Sequence, residues 1–191
     1  MTIPNMLLVG STARNTGKTT FCAEFIRKWH GRFDIVGVKI TTIHNENRQC
    51  HHGDNGCGAC TSFDGDCEVI EELCTSGNKD TSGLLQAGAA KVYWVKAKKR
   101  GLGEAAGRFM AVVPNNAIVV CESNSLSKIV TPGVTVVTHR SGVDEIKPSS
   151  EPMLKKADFI VDVGDSDSLN TALDSIRVES LGNGIQLNVD N

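Results

Sequence analysis

The most constraining feature of the sequence is a segment rich in small residues that follows a short apolar run. The segment reads Gly10-Ser-Thr-Ala-Arg-Asn-Thr-Gly17-Lys18-Thr19-Thr20. The run Met6–Val9 predicts a buried strand, and the amphipathic stretch Lys18–His30 predicts a helix. A strand, a glycine-containing loop and a helix in this order direct backbone N–H groups at an anion at the helix N-terminus. The segment therefore predicts an α/β fold with a phosphate-binding loop.

The residue types in this segment suit a nucleoside triphosphate. Small residues let backbone N–H groups converge on the phosphates, the Lys18 ammonium reaches the β and γ oxygens, and the Thr19 hydroxyl is a ligand for Mg²⁺. The nucleotide-binding residues are predicted to be Asn15, Thr16, Gly17, Lys18, Thr19 and Thr20. The alternative is a turn that only caps the helix. It accounts for Thr19 and Thr20 but gives no reason for Lys18.

The spacing within the segment departs from the usual pattern. Six residues separate Gly10 from Gly17, where four are usual, and Thr12 stands at the position of the usual first glycine. We therefore expect a loop that is longer or differently bent.

Composition limits the class of protein. A chain of 191 residues with 40% apolar residues and a formal charge of −2 suits one globular domain, residues 1–191. The charge is not that of a nucleic-acid-binding protein. No apolar stretch approaches the roughly 18 residues of a membrane span, and the first residues given show no charged region followed by a long apolar segment. We expect a cytoplasmic protein that binds neither nucleic acid nor membranes.

Apolar and amphipathic segments alternate along the chain. Strands are predicted at Met6–Val9, Ile35–Ile40, Val92–Val95, Ala117–Cys121, Val134–Val137 and Phe159–Val163. Helices are predicted at Lys18–His30, Cys67–Leu73, Thr81–Ala89, Gly103–Val112, Glu151–Ala157 and Ser166–Leu173. This alternation predicts a mostly parallel sheet flanked by helices on both faces, with ligands at the carboxyl ends of its strands. The tail, Ser175–Asn191, predicts a hairpin at the sheet edge.

A cysteine-rich insertion, residues 41–76, interrupts the alternation. Thr41 to Asp66 shows neither a helix nor a strand period, and a loop of this length needs something to order it. The spacing C-x6-C-x2-C-x6-C predicts a metal centre, and its ligands are Cys50, Cys57, Cys60 and Cys67. Either Zn²⁺ or a [4Fe–4S] cluster fits this spacing, and the small residues around the central pair slightly favour the cluster. The alternative is a set of free thiols.

Further candidate ligands lie close to these four cysteines: His44, His51, His52 and Cys74. Cys74 would share a face of the predicted helix with Cys67 and Glu71, so it is better explained as a small buried residue than as a ligand.

Two carboxylates complete the predicted nucleotide site. Glu122 ends the apolar strand Ala117–Cys121, where a carboxylate lies beside the Mg²⁺ ion or its water; the alternative is a solvated acid at a strand end. Asp80 either caps the helix that begins at Thr81 or orients the attacking water or a Mg²⁺ ligand. Lys18, Asp80 and Glu122 are therefore the predicted catalytic residues.

Several motifs together resemble the MobB family, the accessory proteins of molybdopterin-guanine dinucleotide synthesis. They are Gly17-Lys18-Thr19-Thr20, Val36-Gly-Val-Lys39, Lys79-Asp80-Thr81 followed by Leu84-x-x-Ala87-Gly88-Ala89, and the strand end Val119–Glu122. Members of that family are P-loop GTP-binding proteins of the class that dimerises around nucleotide, so the resemblance implies this fold and a homodimer. Here Thr41-Thr-Ile-His44 replaces the histidine-rich stretch of the family, and the cysteine segment replaces a short connection.

These features together predict a nucleotide-hydrolysing accessory protein, an ATPase or GTPase, whose cysteine-bound metal centre responds to nucleotide state. One alternative is a nucleotide-gated metallochaperone or scaffold for metal or molybdenum cofactor assembly, with little or no turnover. Another is a zinc-folded structural protein with a vestigial loop. The expected partners are a nucleoside triphosphate with Mg²⁺, a second copy of the chain, and a client metalloenzyme or cofactor-assembly protein.

Overall fold

The computed structural model describes residues 1–43, 65–143, 146–182 and 184–190. The described strands are β1 (Thr2–Ser11), β2 (Ile35–Ile43), β3 (Cys67–Glu71), β4 (Lys91–Lys98), β5 (Ile118–Glu122), β6 (Thr131–His139), β7 (Phe159–Asp162), β8 (Ile176–Leu181) and β9 (Gly184–Val189). The described α-helices are α1 (Lys18–Trp29), α2 (Asp80–Gln86), α3 (Leu102–Met110), α4 (Glu151–Leu154) and α5 (Ser166–Ser175). All six predicted strands and five of the six predicted helices are confirmed.

Seven strands form one mostly parallel sheet in the order β3-β4-β2-β5-β1-β6-β7. Only β3 runs antiparallel to its neighbour. The central strand β5 is buried along its whole length and carries an apolar run, as expected of a strand covered on both faces. Val9 of β1 and Lys39 of β2 both lie opposite Glu122, so the carboxyl end of β5 is flanked by these two strands.

Helices cover both faces of this sheet, as predicted. Phe21 and Phe25 of α1 are fully buried on one face, in a core that α2 and α5 also join. Phe109 of α3 and Met153 of α4 are fully buried on the other face. Burial of each such side chain contributes about 1.5–3 kcal/mol. No helix in the described part of the chain is long and apolar enough to span a bilayer.

The carboxyl-terminal hairpin is confirmed, but its predicted position at the sheet edge is wrong. Strands β8 and β9 pair antiparallel as a separate two-stranded sheet. Strand β9 packs against β1 and β6, which are inner strands of the main sheet. The physical reason is burial: Ile176, Ile185 and Leu187 are all buried, and an edge position would leave one side of the hairpin in water.

The predicted helix Cys67–Leu73 is also wrong, because this segment forms the edge strand β3. Cys67 lies opposite Ala97 and Glu71 lies opposite Tyr93 of β4. Cys67 and Val69 pack on the α3 side, whereas Glu68 lies 3.5 Å from the Lys96 ammonium. The side chains therefore alternate with a period of two, which a helix cannot satisfy.

Strand β2 continues to Ile43, three residues into the segment that shows no strand period in the sequence. Residues 44–64, the middle of the predicted insertion 41–76, lie outside the described residues.

Candidate functional site at the carboxyl edge of the sheet

The loop between β1 and α1 spans Thr12 to Gly17. Because β1 continues to Ser11, Gly10 belongs to the strand, and the two extra residues of the sequence pattern lengthen the strand rather than the loop. The backbone N–H of Thr12 donates a hydrogen bond of 3.0 Å to the carbonyl of Thr138 in β6. Among the described non-glycine residues only Asn15 has a positive φ, so Thr12 occupies its position without needing the freedom of glycine.

Two residues in left-handed conformations shape the loop. Asn15 has φ 56° and Gly17 has φ 79°. Such residues turn successive N–H groups toward one side, which is how anion-binding backbone nests form. A Cβ on Gly17 would lie 2.5 Å from the Val163 side chain, so close packing also requires glycine there. The Thr16 hydroxyl donates to the carbonyl of Ala13 at 3.1 Å and closes the loop internally.

Helix α1 begins at Lys18, directly after this loop. Its first turn contains no acidic residue, so its positive end is not neutralised by its own side chains. The predicted nucleotide-binding residues Asn15 to Thr20 thus lie together in the loop and in the first turn of α1.

Glu122, the last residue of β5, is buried, with 4% of its surface exposed. The Thr19 hydroxyl donates a hydrogen bond of 2.8 Å to its Oε2. Two ammonium groups lie near its Oε1, Lys18 at 3.8 Å and Lys39 at 3.7 Å. A buried carboxylate is costly unless it is paired. The pairing here shows that Glu122 is not a solvated acid at a strand end.

Lys39 connects Glu122 to the second predicted carboxylate. Its ammonium also donates a hydrogen bond to Asp80, the first residue of α2. Lys18 in turn donates a hydrogen bond of 3.0 Å to the Ser11 hydroxyl. The structure therefore brings the three predicted catalytic residues, Lys18, Asp80 and Glu122, to one edge of the sheet.

The donor set of this cluster fits a hard divalent cation. The Thr19 hydroxyl and the Glu122 carboxylate lie within hydrogen-bond distance of each other, and Mg²⁺ takes oxygen ligands of these types while keeping several waters. The nearby ammonium groups of Lys18 and Lys39 place positive charge beside the same carboxylate, as a site for phosphate oxygens would need.

Of the predicted metal-ligating cysteines, only Cys67 lies in the described residues. It is buried beneath α3, and burial raises the pKa of its thiol. Cys50, Cys57 and Cys60 lie outside the described residues, as do His44, His51 and His52, so the four-cysteine centre stays a prediction. Within the described ranges no group of three or more His, Cys, Asp or Glu side chains is arranged to hold a metal ion.

Cys74 is exposed, not buried as one interpretation of the sequence expected. A hydrogen bond with the Ser76 hydroxyl lowers the pKa of its thiol. Cys22 and Cys121, by contrast, are core residues, and burial raises the pKa of both thiols. These two thiols therefore stay protonated at neutral pH.

Three further residues, Ser11, Lys39 and Asn124, join the cluster in the structure and are not among the predicted site residues. The sequence does indicate that Lys39 is unusual, because it is the only charged residue in the apolar run Ile35–Ile40. The sequence gives no indication for Ser11 and Asn124, because their roles depend on hydrogen bonds between residues that are 113 positions apart.

Comparisons of the chain with models of protein families, with curated proteins and with solved structures give no match in any of the three.

Proposed function

We propose that the protein binds and hydrolyses a nucleoside triphosphate, ATP or GTP, with Mg²⁺ at the carboxyl edge of the sheet. The observation that carries this proposal is the 2.8 Å hydrogen bond between Thr19 and the buried Glu122, with Lys18 and Lys39 beside the same carboxylate. Phosphoryl-transfer sites combine a glycine-containing loop with an acid, a hydroxyl and positively charged groups. The same groups lie together here, where the acid is buried and two ammonium groups flank it.

Each residue has a distinct task in this proposal. Lys18 leaves the Ser11 hydroxyl to bind the β and γ phosphate oxygens, and the loop N–H groups hold the remaining oxygens. Thr19 and Glu122 hold Mg²⁺, which neutralises charge on the phosphates when it is bound. Lys39 stabilises the γ-phosphate from the β2 side. Asp80, freed from Lys39, orients the attacking water.

We extend the proposal to the predicted metal centre, either [4Fe–4S] or Zn²⁺. The described ends of the cysteine segment support a link to nucleotide state. Ile43 lies opposite Lys98 and Cys67 lies opposite Ala97, so both ends lie at neighbouring positions of β4. Lys39, which contacts Glu122 and Asp80, lies only four residues before Ile43 on the same strand. A nucleotide that displaces Lys39 therefore acts on the strand from which the segment starts.

A second candidate uses the same residues: a nucleotide-gated metallochaperone or scaffold for metal or molybdenum cofactor assembly with little or no turnover. The motifs shared with the MobB family favour an accessory role of this kind, and a homodimer around nucleotide. The observation in its favour is that Lys39 is held by Asp80 and Glu122 together, which suits a site that changes state on binding. Turnover with and without the loaded metal separates a hydrolase from a gated carrier.

The variant Lys18→Ala tests the nucleotide site. We expect it to abolish hydrolysis and to weaken triphosphate binding by about tenfold or more, because charge-assisted hydrogen bonds to phosphate are lost. Calorimetry with a non-hydrolysable triphosphate and a phosphate-release assay measure the two effects. Arg27→Ala is the matched control, since it removes a positive charge from an exposed position of the same helix. Full hydrolysis by Lys18→Ala would overturn the enzyme assignment, and wild-type protein that binds no triphosphate would overturn the site.

A further inference from the structure

The side chain of Asn124 forms two hydrogen bonds with the backbone of one residue in β1. Its Oδ1 accepts a hydrogen bond of 2.9 Å from the N–H of Ser11, and its Nδ2 donates one of 2.8 Å to the carbonyl of Ser11. Ser11 is the last residue of β1 and is 1% exposed. Asn124 therefore pairs both backbone groups of the residue that immediately precedes the loop.

The pairing is needed because β5 ends before it reaches Ser11. The backbone ladder between β1 and β5 extends to Val9 opposite Glu122, followed by a hydrogen bond of 3.0 Å from the N–H of Ser123 to the carbonyl of Val9. Beyond this point the chain turns into a 3-10 helix at Ser125–Lys128. Buried backbone groups must find partners. The amide of Asn124 supplies them and extends the ladder by one residue.

Ser11 in turn controls two parts of the nucleotide site. Its hydroxyl accepts a hydrogen bond of 3.0 Å from the Lys18 ammonium. The same hydroxyl donates one of 2.8 Å to the carbonyl of Ala13 in the loop. Any shift of the Ser11 backbone therefore moves the resting position of Lys18 and the first turn of the loop together.

Asn124 is itself held firmly. The backbone carbonyl of Asn124 accepts a hydrogen bond of 2.8 Å from the hydroxyl of Ser127, which is buried. Gly10 leaves room for its amide, since a Cβ on Gly10 would lie 3.0 Å from the Asn124 Oδ1. The amide is thus a fixed reference for the start of the loop.

We propose that Asn124 is a positioning residue for triphosphate binding, acting through Ser11 on Lys18 and the loop backbone. This inference rests on the proposed function. The inference goes beyond the proposed function, because it assigns preorganisation of the loop to a side chain that has no contact with the phosphates or the metal ion in that proposal.

The test measures the Kd of a non-hydrolysable triphosphate and the melting temperature of four proteins: wild type, Asn124→Ala, Ser11→Ala and the double variant. We expect Asn124→Ala to raise Kd about tenfold, as loss of a well-formed hydrogen bond would. The Ser11→Ala variant should also raise Kd, because it removes the hydrogen bond from the Ser11 hydroxyl to the Ala13 carbonyl that holds the first turn of the loop. The double variant should show clearly less than the product of the two effects. Such non-additivity identifies residues that act through one another.

Asn5→Ala is the matched control. Asn5 also joins β1 to the β5 segment by a side-chain hydrogen bond, 2.7 Å to the carbonyl of Ala117, but at the opposite edge of the sheet. We expect this variant to melt at a lower temperature without a change in Kd. If Asn124→Ala does not fold, Asn124→Ser serves in its place. The serine keeps a polar side chain, but its hydroxyl is one bond too short to replace the side-chain amide at Ser11.

The outcomes separate the two proposals. If the wild-type protein binds triphosphate and Asn124→Ala has the same Kd, the positioning role is overturned and the nucleotide site is kept. The same holds if the effects of Asn124→Ala and Ser11→Ala on Kd are independent. Equal rises in Kd for Asn124→Ala and Asn5→Ala also overturn it, since a general loss of stability then explains both. Absence of triphosphate binding by the wild-type protein overturns the proposed function itself.

Discussion

At the scale of single residues, the structure shows carboxylates held by short polar contacts at the carboxyl edge of the sheet. Asp162, the last residue of β7, illustrates this. Its carboxylate accepts hydrogen bonds from the hydroxyl and the N–H of Ser141 and from the N–H of Gly164. The hydrogen bond from the Ser141 hydroxyl is the largest cause that holds the pKa of Asp162 below its ordinary value. The carboxylate therefore fastens the turn after β6 to the end of β7.

The depressed pKa of Asp162 predicts a dependence of stability on pH. The contribution of the ionised Asp162 carboxylate to the free energy of unfolding is fully present above its unfolded pKa of about 3.9. It is lost as pH falls through the lower folded pKa, because the carboxylate then binds a proton in the folded state as well. Asp162→Asn should be less stable than the wild type at neutral pH, and the difference should shrink in acid. Urea unfolding between about pH 7 and pH 2.5 measures it. Asp34→Asn, at an exposed aspartate just before β2, is the control. A difference that stays constant with pH would contradict the prediction.

At the scale of elements, the site depends on where strands end and on what packs against them. Glu122 is the last residue of β5, Asp80 is the first residue of α2, and Lys18 is the first residue of α1. Parallel strands bring such ends to one edge of the sheet. The hairpin of β8 and β9 plays a different part, because β9 packs against β1 and β6.

Gly133 in β6 marks the contact between the hairpin and the sheet. A Cβ at this position would lie 2.2 Å from the carbonyl oxygen of Pro4 and 2.9 Å from that of Leu187. Because both neighbours are backbone atoms, Gly133→Ala should lower the free energy of unfolding by about 1–3 kcal/mol. Gly107→Ala is the matched control: a Cβ there meets nothing within 4 Å, and alanine in helix α3 should stabilise by up to about 1 kcal/mol. Chemical denaturation measures both, and equal effects would contradict the account of the contact.

At the scale of the whole molecule, the two halves of the proposed function meet at β2. One half is the proposed nucleotide site around Glu122, and the other is the cysteine segment that follows Ile43. Lys39 belongs to both, because it pairs with Glu122 and lies on the strand that leads into the segment. A ligand that binds one arrangement of Lys39 better than another shifts the whole strand end accordingly.

The prediction at the scale of the whole molecule concerns the predicted metal centre. Protein purified without oxygen should contain either iron and sulfide, with a brown absorption spectrum, or stoichiometric zinc without colour. The paired variant Cys57→Ala and Cys60→Ala should lose the metal, because a four-thiolate site does not survive loss of two ligands. Cys74→Ser tests the further candidate ligand and should keep the metal, because Cys74 is not one of the four predicted ligands. Elemental analysis and the spectrum decide; wild-type protein free of both metals would overturn the centre.

The local sequence anticipated much of this arrangement. Apolar runs identified the six strands that carry the parallel sheet, since period and length mark buried strands without knowledge of their neighbours. The order of strand, small residues, Lys18 and Thr19 identified the loop and the first turn of α1. A short apolar stretch is ambiguous, however: the sequence predicts a helix at Cys67–Leu73, because no local feature reports that Cys67–Glu71 pairs with β4.

The sequence by itself determined the alternation of strands and helices and the residue types of the proposed phosphate-binding loop, because both depend on residues close together in the chain. Only the tertiary structure decided that Lys39 and Glu122 are neighbours, that Gly10 lies in a strand, and that the hairpin covers inner strands. It also decided the pairing of Asn124 with Ser11. The physical reason is the same in each case: strand order and the burial of backbone groups depend on contacts between distant residues, which local propensity does not encode.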